Sequence, residues 1–161
     1  MNIRLSTPAD LDALLDIYAA ARATMKRTGN PTQWGDHWPP ADVIVEDIAS
    51  GIGYLVEQDG RPCAAFALIH GDDPTYQEIA DGQWRNDAPY ATIHRLAADG
   101  TAHGVFAGCV QFCKQQADNL RADTHPDNHI MQHLLEKFGF VRCGLIATHD
   151  GTPRIAYQWT K

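Results

Sequence analysis

No stretch of the 161-residue chain approaches the ~20 consecutive apolar residues that a membrane-spanning helix needs. The opening residues, MNIRLSTPADLDALL, lack an apolar core with a small-residue cleavage site, so no secretory leader is expected. Basic residues are outnumbered: 13 Lys and Arg stand against 20 Asp and Glu, a formal charge of −7. A sequence-independent grip on nucleic acid needs a basic face, and this balance argues against one. Cysteine is sparse, four in all. Cys63, Cys109, Cys113 and Cys143 each sit in an apolar stretch, so buried free thiols are expected, not disulfides. Internal repeats, low-complexity segments, long charge runs and a domain boundary are all missing. What remains is 44% apolar. It predicts one soluble, cytoplasmic domain over residues 1–161, of a size that buries about 70% of its unfolded surface. The acidity leaves room for an anionic ligand held by backbone amides, which net charge does not count.

Histidine is plentiful, at eight. His125, His129 and His133 are spaced four apart; on a helix the last two would share a face, as would Cys109 and Cys113. Imidazole nitrogens can ligate a metal, but no HExxH glutamate or carboxylate at ligand spacing accompanies them. A solvated helix face is the favoured reading, and no metal is expected.

The first helix is the clearest element. Leu11, Leu14, Leu15, Tyr18, Arg22 and Met25 follow helical spacing with one break in polarity. Thr7 can cap it, Pro8 suits the first turn, Asp10 completes a capping box, and Gly29 ends it. Ile3 and Leu5 before it alternate like a short strand. A loop at 30–40 carries two tryptophans, and a second helix after Pro40 holds Val43, Ile44 and Ile48. Strands are expected at 54–56 and 63–69, with Asp59-Gly60 as the hairpin turn. Residues 70–89 form a long polar segment of a kind that is usually functional or mobile. Further elements are a strand at 90–98, a helix at 104–119, a strand at 120–125, a helix at 128–138 closed by Gly139, and strands at 140–148 and 154–159. The order β-α-α-β-β-β-α-β-α-β-β implies an α/β (α+β) mixed sheet with helices on its faces.

The chemistry concentrates in residues 90–140. A strand ends in Leu96-Ala97-Ala98, a tight polar loop follows, Asp99-Gly100-Thr101-Ala102-His103-Gly104, and a helix begins at once. Such a junction presents unpaired amides and the positive end of a helix dipole, which suits a pyrophosphate. Gly100 and Gly104 would let the backbone come close, although glycine before a helix is also an ordinary loop residue.

Taken with the element order, two segments make the sequence resemble the GNAT superfamily of acetyl-CoA-dependent N-acetyltransferases. Thr101-Ala102-His103-Gly104-Val105-Phe106 takes the place of that family's Q/R-x-x-G-x-G/A pyrophosphate loop. Asn128-His129-Ile130-Met131-Gln132-His133-Leu134-Leu135-Glu136-Lys137-Phe138-Gly139-Phe140 is similar to its N-x-x-A-x-x-L-Y-E-K-x-G-F signature. Three of the departures bear on the chemistry. Thr101 replaces Gln or Arg. Phe106 replaces a small residue, and either crowds the loop or turns into the core. Leu135 replaces the tyrosine that many members use as the acid toward the CoA thiolate, so that role is filled elsewhere or left to water.

The resemblance implies a V-shaped slot where the strand at 90–98 diverges from the strand at 120–125. Backbone groups of Leu96, Ala97 and Ala98 would pair with the pantetheine arm of acetyl-CoA. The amides of Asp99, Gly100, Thr101, Ala102, His103, Gly104 and Val105 would hold the pyrophosphate, and Asn128 would lie beside the arm. A neutral amine of a small molecule or peptide would attack the thioester directly, with the oxyanion on the Leu96 N–H. His94 is the first candidate base, because it alternates with Leu96 and imidazole transfers protons near neutral pH; a histidine merely hydrogen-bonded in the sheet is the plain alternative. His125 is the second candidate, against a helix-entry role before Pro126. Glu78 is a third, as base or amine binder. The acceptor pocket would draw on two loops, through Gln33, Trp34, Trp38, Tyr76 and Trp84, whose aromatic walls suit a small amine. A CoA-binding or ligand-sensing module of the same fold is the alternative function. No nucleic acid or membrane partner is expected, and a homodimer is possible by analogy.

Overall fold

The computed structural model describes residues 1–161. Eleven principal elements follow one another: β1 (Asn2–Leu5), α1 (Leu11–Arg27), α2 (Ala41–Ala49), β2 (Gly53–Gln58), β3 (Arg61–His70), β4 (Ala91–Ala98), α3 (Val105–Gln116), β5 (Asn119–Thr124), α4 (His129–Lys137), β6 (Val141–Ala147) and β7 (Pro153–Thr160). The order matches the expectation, and the strands form one seven-stranded sheet, β1-β2-β3-β4-β5-β7-β6. All neighbours are antiparallel except β4 and β5.

Local chemistry sets most of the boundaries. The backbone N–H and hydroxyl of Thr7 donate to Asp10 at 2.7 and 2.9 Å, closing a 3₁₀ turn that launches α1. Asp59 (φ 53°) and Gly60 (φ 76°) both take left-handed backbone, the two-residue turn that matches strand twist between β2 and β3. The helix expected to run to residue 119 stops at Gln116. Asn119 enters β5 instead, because its side chain donates to Ala88 O and Asn86 Oδ1, each at 3.0 Å, and accepts from Gln158 at 2.8 Å.

Helices cover the sheet on both faces. Val105, Phe106, Cys109, Val110 and Cys113 of α3 pack with Leu135 of α4 onto Phe66, Ile93, Leu120 and Tyr157. Leu14, Ile17, Tyr18 and Ala21 of α1, with Ile44 of α2, pack onto Leu55, Ala65 and Ala97. All four cysteines are buried and free, as their apolar settings predicted.

The segment 70–89 holds one 3₁₀ turn, Pro74–Tyr76, and is no free loop. It folds over the sheet beyond α1 and α2, where Tyr76 and Tyr90 bury against Ile146 and Ala156. It then runs along the outer edge of β6: Ala80 and Leu145 exchange backbone hydrogen bonds at 2.8 Å, and Gln83 N donates to Cys143 O at 2.9 Å. Gly82 makes the approach feasible, since a Cβ there would lie 1.9 Å from Cys143 O. No helix is long and apolar enough to cross a membrane.

Candidate active site

β4 and β5 pair only at Ala91–Leu120 and Thr92–Arg121. Beyond Thr92 the two parallel strands separate, and a cleft of about 620 Å³ opens between them. That is ample for a small-molecule ligand. Its walls come from Ile93, His94, Arg95 and Leu96 of β4, Ala122, Asp123 and Thr124 of β5, and Met131 and Leu135 of α4. Gln33, Trp34 and Trp38 of the α1–α2 loop close one side, and Asp73, Pro74 and Thr75 another. His149, Asp150 and Arg154 contribute from the β6–β7 turn and the start of β7.

β4 is distorted where it faces the cleft. Ala65 pairs with Ala97 and Ala67 with His94, so Arg95 and Leu96 together oppose Phe66 alone. This is a β-bulge, and Arg95 takes φ 54°, a left-handed conformation that side chains with a Cβ rarely adopt. The guanidinium of Arg95 is anchored on α2: Nε donates to Asp47 Oδ2 at 2.9 Å and Nη2 to Asp47 Oδ1 at 2.8 Å. The bulge overturns the simple alternation that would put His94 and Leu96 on one face: Leu96 packs on the α3 side with Ile93, His94 stands against Tyr76 on the other, and both line the cleft that opens through the sheet.

His94 Nε2 lies 2.7 Å from Asp73 Oδ2. The other Asp73 oxygen accepts from the Thr75 amide at 2.8 Å and its hydroxyl at 2.7 Å. Burial would raise this carboxyl, but the bonds from His94 and Thr75 outweigh burial and hold it down at about 2. A carboxylate ionised at neutral pH thus orients the imidazole on the cleft wall. Next to it, Tyr76 donates to Asp123 Oδ2 at 2.6 Å, and its ring stands 6.0 Å from that of His94.

The loop leading into α3 meets the requirement for binding a pyrophosphate. Asp99 accepts from the amide and hydroxyl of Thr101 at 2.8 and 2.7 Å, which shapes the turn. The amides of Gly100, Ala102, His103, Gly104, Val105, Phe106 and Ala107 find no acceptor in the protein. Gly100 (φ 85°) and Gly104 (φ 71°) supply left-handed backbone, and open space lies over both. Phe106 does not crowd the loop: it is 9% exposed, turned onto Phe138 with ring centroids 5.5 Å apart.

Asn128 caps α4, accepting from Met131 N at 3.1 Å, and donates to Gln33 Oε1 at 2.9 Å. The α1–α2 loop is therefore tied to the start of α4 across the cleft. Trp34 stands edge-on to Tyr18, with centroids 5.8 Å apart, and Trp38 is exposed; both line the cleft, as expected of acceptor-side residues.

Several candidates sit elsewhere. Tyr76 is 1% exposed and forms the layer behind the cleft wall. Trp84 packs on Tyr76 and, with Tyr90, sandwiches the Arg121 guanidinium at 3.9 Å on each side, so its role is structural. Glu78 is exposed and off the cleft. His125 accepts at Nδ1 from Asp127 N at 3.0 Å and approaches the Thr32 hydroxyl at 3.4 Å, the helix-entry role. Burial lowers its pKa, and Arg154 adds to that. Ala97 points into the α1 core and Ala98 packs on the α3 side, so only their backbone is available to a ligand. His129 and His133 are exposed on α4, and no group of three or more His, Cys, Asp or Glu is arranged to hold a metal.

Four residues of the site escape sequence reasoning: Asp73, Asp123, Asp47 and Arg154. Asp73 carries a usable signal, an acid directly before Pro74 at the start of a turn. The others depend on partners far along the chain.

The family model of the GNAT acetyltransferase domain matches residues 1–141, and the chain belongs to that family. The fold therefore serves acyl transfer from acetyl-CoA. A GNAT-family acetyltransferase from Streptococcus agalactiae is similar over 99% of this chain and 95% of its own, at 32% identity and a TM-score of 0.87. A GNAT-family acetyltransferase from Listeria monocytogenes shares the fold at 18% identity and a TM-score of 0.73, over 99% of this chain and 94% of its own. So does a ribosomal-protein-alanine N-acetyltransferase from Brucella melitensis, at 16% identity and a TM-score of 0.63, over the full length of both chains. No curated protein matches the chain significantly.

Proposed function

We propose that residues 1–161 form a single cytoplasmic N-acetyltransferase domain that moves the acetyl group of acetyl-CoA directly onto a primary amine of a small molecule or peptide. The observation that carries this reading is the His94–Asp73 pair, 2.7 Å apart on the wall of the slot between β4 and β5. The amine nitrogen attacks the thioester carbonyl carbon. His94 takes the amine proton, and Asp73 stabilises the imidazolium that forms. The Leu96 N–H, turned by the bulge, receives the oxyanion. Collapse breaks the carbon–sulfur bond, and the CoA thiolate takes a proton from water, since Leu135 offers none. Backbone groups of Leu96, Ala97 and Ala98 hold the pantetheine arm, and Asn128 fixes the neighbouring turn. The free amides of Gly100, Ala102, His103, Gly104 and Val105 hold the pyrophosphate, while those of Asp99 and Thr101 are spent on Cys63 O and Asp99 Oδ1. Gln33, Trp34 and Trp38 bound the acceptor. The Brucella relative is named for acetylating a protein alanine, which supports keeping peptides within the acceptor class.

Thiol release from acetyl-CoA with a panel of amines tests the reading. His94→Gln is expected to lower kcat by about 10²-fold or more while leaving the stabilisation by acetyl-CoA unchanged. Acetyl-CoA stabilisation without thiol release from any amine would make the protein a CoA-binding module instead. Unchanged kcat in His94→Gln would remove the histidine from the mechanism.

A further inference from the structure

Arg154 stands out among the charged groups of the cleft. It lines the cavity yet is only 9% exposed. Nη1 donates to Thr152 Oγ1 at 3.1 Å and Pro153 O at 3.0 Å, and Nη2 reaches Gln33 O at 3.4 Å. All of these acceptors are uncharged, and no carboxylate is paired with it. Burial lowers its pKa, with Asp123 and Asp150 opposing only through space. Both acids are engaged elsewhere, Asp123 by the Tyr76 hydroxyl and Asp150 by Thr148 and by the amide and hydroxyl of Thr152. Arg95, the other arginine on the cleft, is matched by Asp47. A buried cation without a counter-ion is costly unless a ligand supplies one.

A second unmatched group lines the cleft from the other face of the sheet. Thr124 pairs with Ile155, whose side chain points opposite to that of Arg154, and is fully buried. Its hydroxyl has no hydrogen-bond partner. The opposite charge is also close at hand: Asp123 faces the cleft between Arg154 and the His94–Asp73 pair in the sheet order, where a cationic amine would be drawn. The acceptor end of the cleft thus has one anion-seeking group and a neighbouring acidic, proton-accepting region.

We propose that Arg154 binds a carboxylate of the acceptor, so that the acceptor is a free amino acid or a comparably small amine bearing a carboxylate. This inference rests on the acetyltransfer reading above and narrows its acceptor. A guanidinium presents two parallel N–H donors to a carboxylate, and the amine a few bonds away would point toward His94. Arg154 acts here through substrate binding, and its present bonds to Thr152, Pro153 and Gln33 hold it in place.

The test uses the full chain at saturating acetyl-CoA with the twenty amino acids. For each acid accepted, its methyl ester and its decarboxylated amine are compared. At least one free amino acid is expected to release thiol, with kcat/KM about 10²-fold or more above its ester and its amine, because a charge-recognising site is left unpaired by them. In Arg154→Met the ratio of acid to ester is expected to collapse toward one, and Arg154→Lys is expected to restore part of it. The inference is overturned if wild-type protein uses uncharged-ended amines as well as acids. It is equally overturned if acetyl-CoA raises the melting temperature but no amino acid is acetylated. If Arg154→Met lowers acid and ester alike, Arg154 is a structural latch and the proposal fails. If acetyl-CoA gives no thermal shift at millimolar concentration, the transferase reading itself falls and takes this inference with it.

Discussion

Asp73 concentrates the residue-scale consequences. Its carboxylate serves His94 and the Thr75 turn together, so Asp73→Ala is expected to cost about 1–3 kcal/mol in urea titrations and to lower turnover at least tenfold. Its contribution also depends on pH. The folded pKa of about 2 lies below the ordinary 3.8, so the contribution is full above about pH 4. It is lost as pH falls from about 4 toward about 2, where the unfolded chain takes up its proton first. Wild-type stability should therefore drop more steeply across that interval than that of Asp73→Asn. The buried cysteines give a second check: burial pushes the Cys113 thiol up to about 12, and Cys109 higher still. A thiol reagent should find no fast-reacting cysteine in the native protein and four in urea. These thiols were readable from sequence because burial follows from apolar neighbours. His94 was readable as a residue type near the slot. Its partner was not, since the separation of 21 residues from Asp73 to His94 is closed by packing that no local pattern encodes.

At the scale of elements, α1 and the β2–β3 hairpin follow from spacing, capping and turn chemistry, and they fall where those rules put them. The bulge in β4 does not. Arg95 is no glycine, and its left-handed backbone persists because Asp47, one helix away, grips the guanidinium with two bonds. Both side chains are largely buried, so Asp47→Ala is expected to destabilise the fold by about 2–4 kcal/mol. Because the pair holds the bulge next to Leu96, kcat should fall more than the KM for acetyl-CoA rises. From sequence, the segment 70–89 is a long polar stretch of a kind usually functional or mobile. Its order comes from Tyr76 and Tyr90 entering the core and from Gly82 passing close to Cys143, contacts set by β6 and β7 much later in the chain. Gly82→Ala should force this segment off β6 and lower the melting temperature by several degrees, with acetyl-CoA still producing its usual upward shift.

For the whole molecule, element order and the signature at 128–140 carried the reading of the sheet, while the parting of β4 from β5 entered through family resemblance alone. Composition cannot place a gap within a sheet. Acetyl-CoA at a hundred times its Kd is expected to stabilise the protein by about 2.7 kcal/mol, measurable as a rise in melting temperature. The excess of acids leaves this untouched, since the amides at the start of α3 carry no formal charge. The backbone bridge from Ala80 and Gln83 to β6 reaches further than local stability. An outer strand with unclaimed N–H and C=O groups is a template on which another chain can lay down its own strand. Here the Cys143 C=O and both the N–H and C=O of Leu145 are already taken from within. The segment that supplies Asp73 to the cleft also guards this border of the sheet against amyloid-like growth, so variants that loosen it should aggregate as well as lose activity.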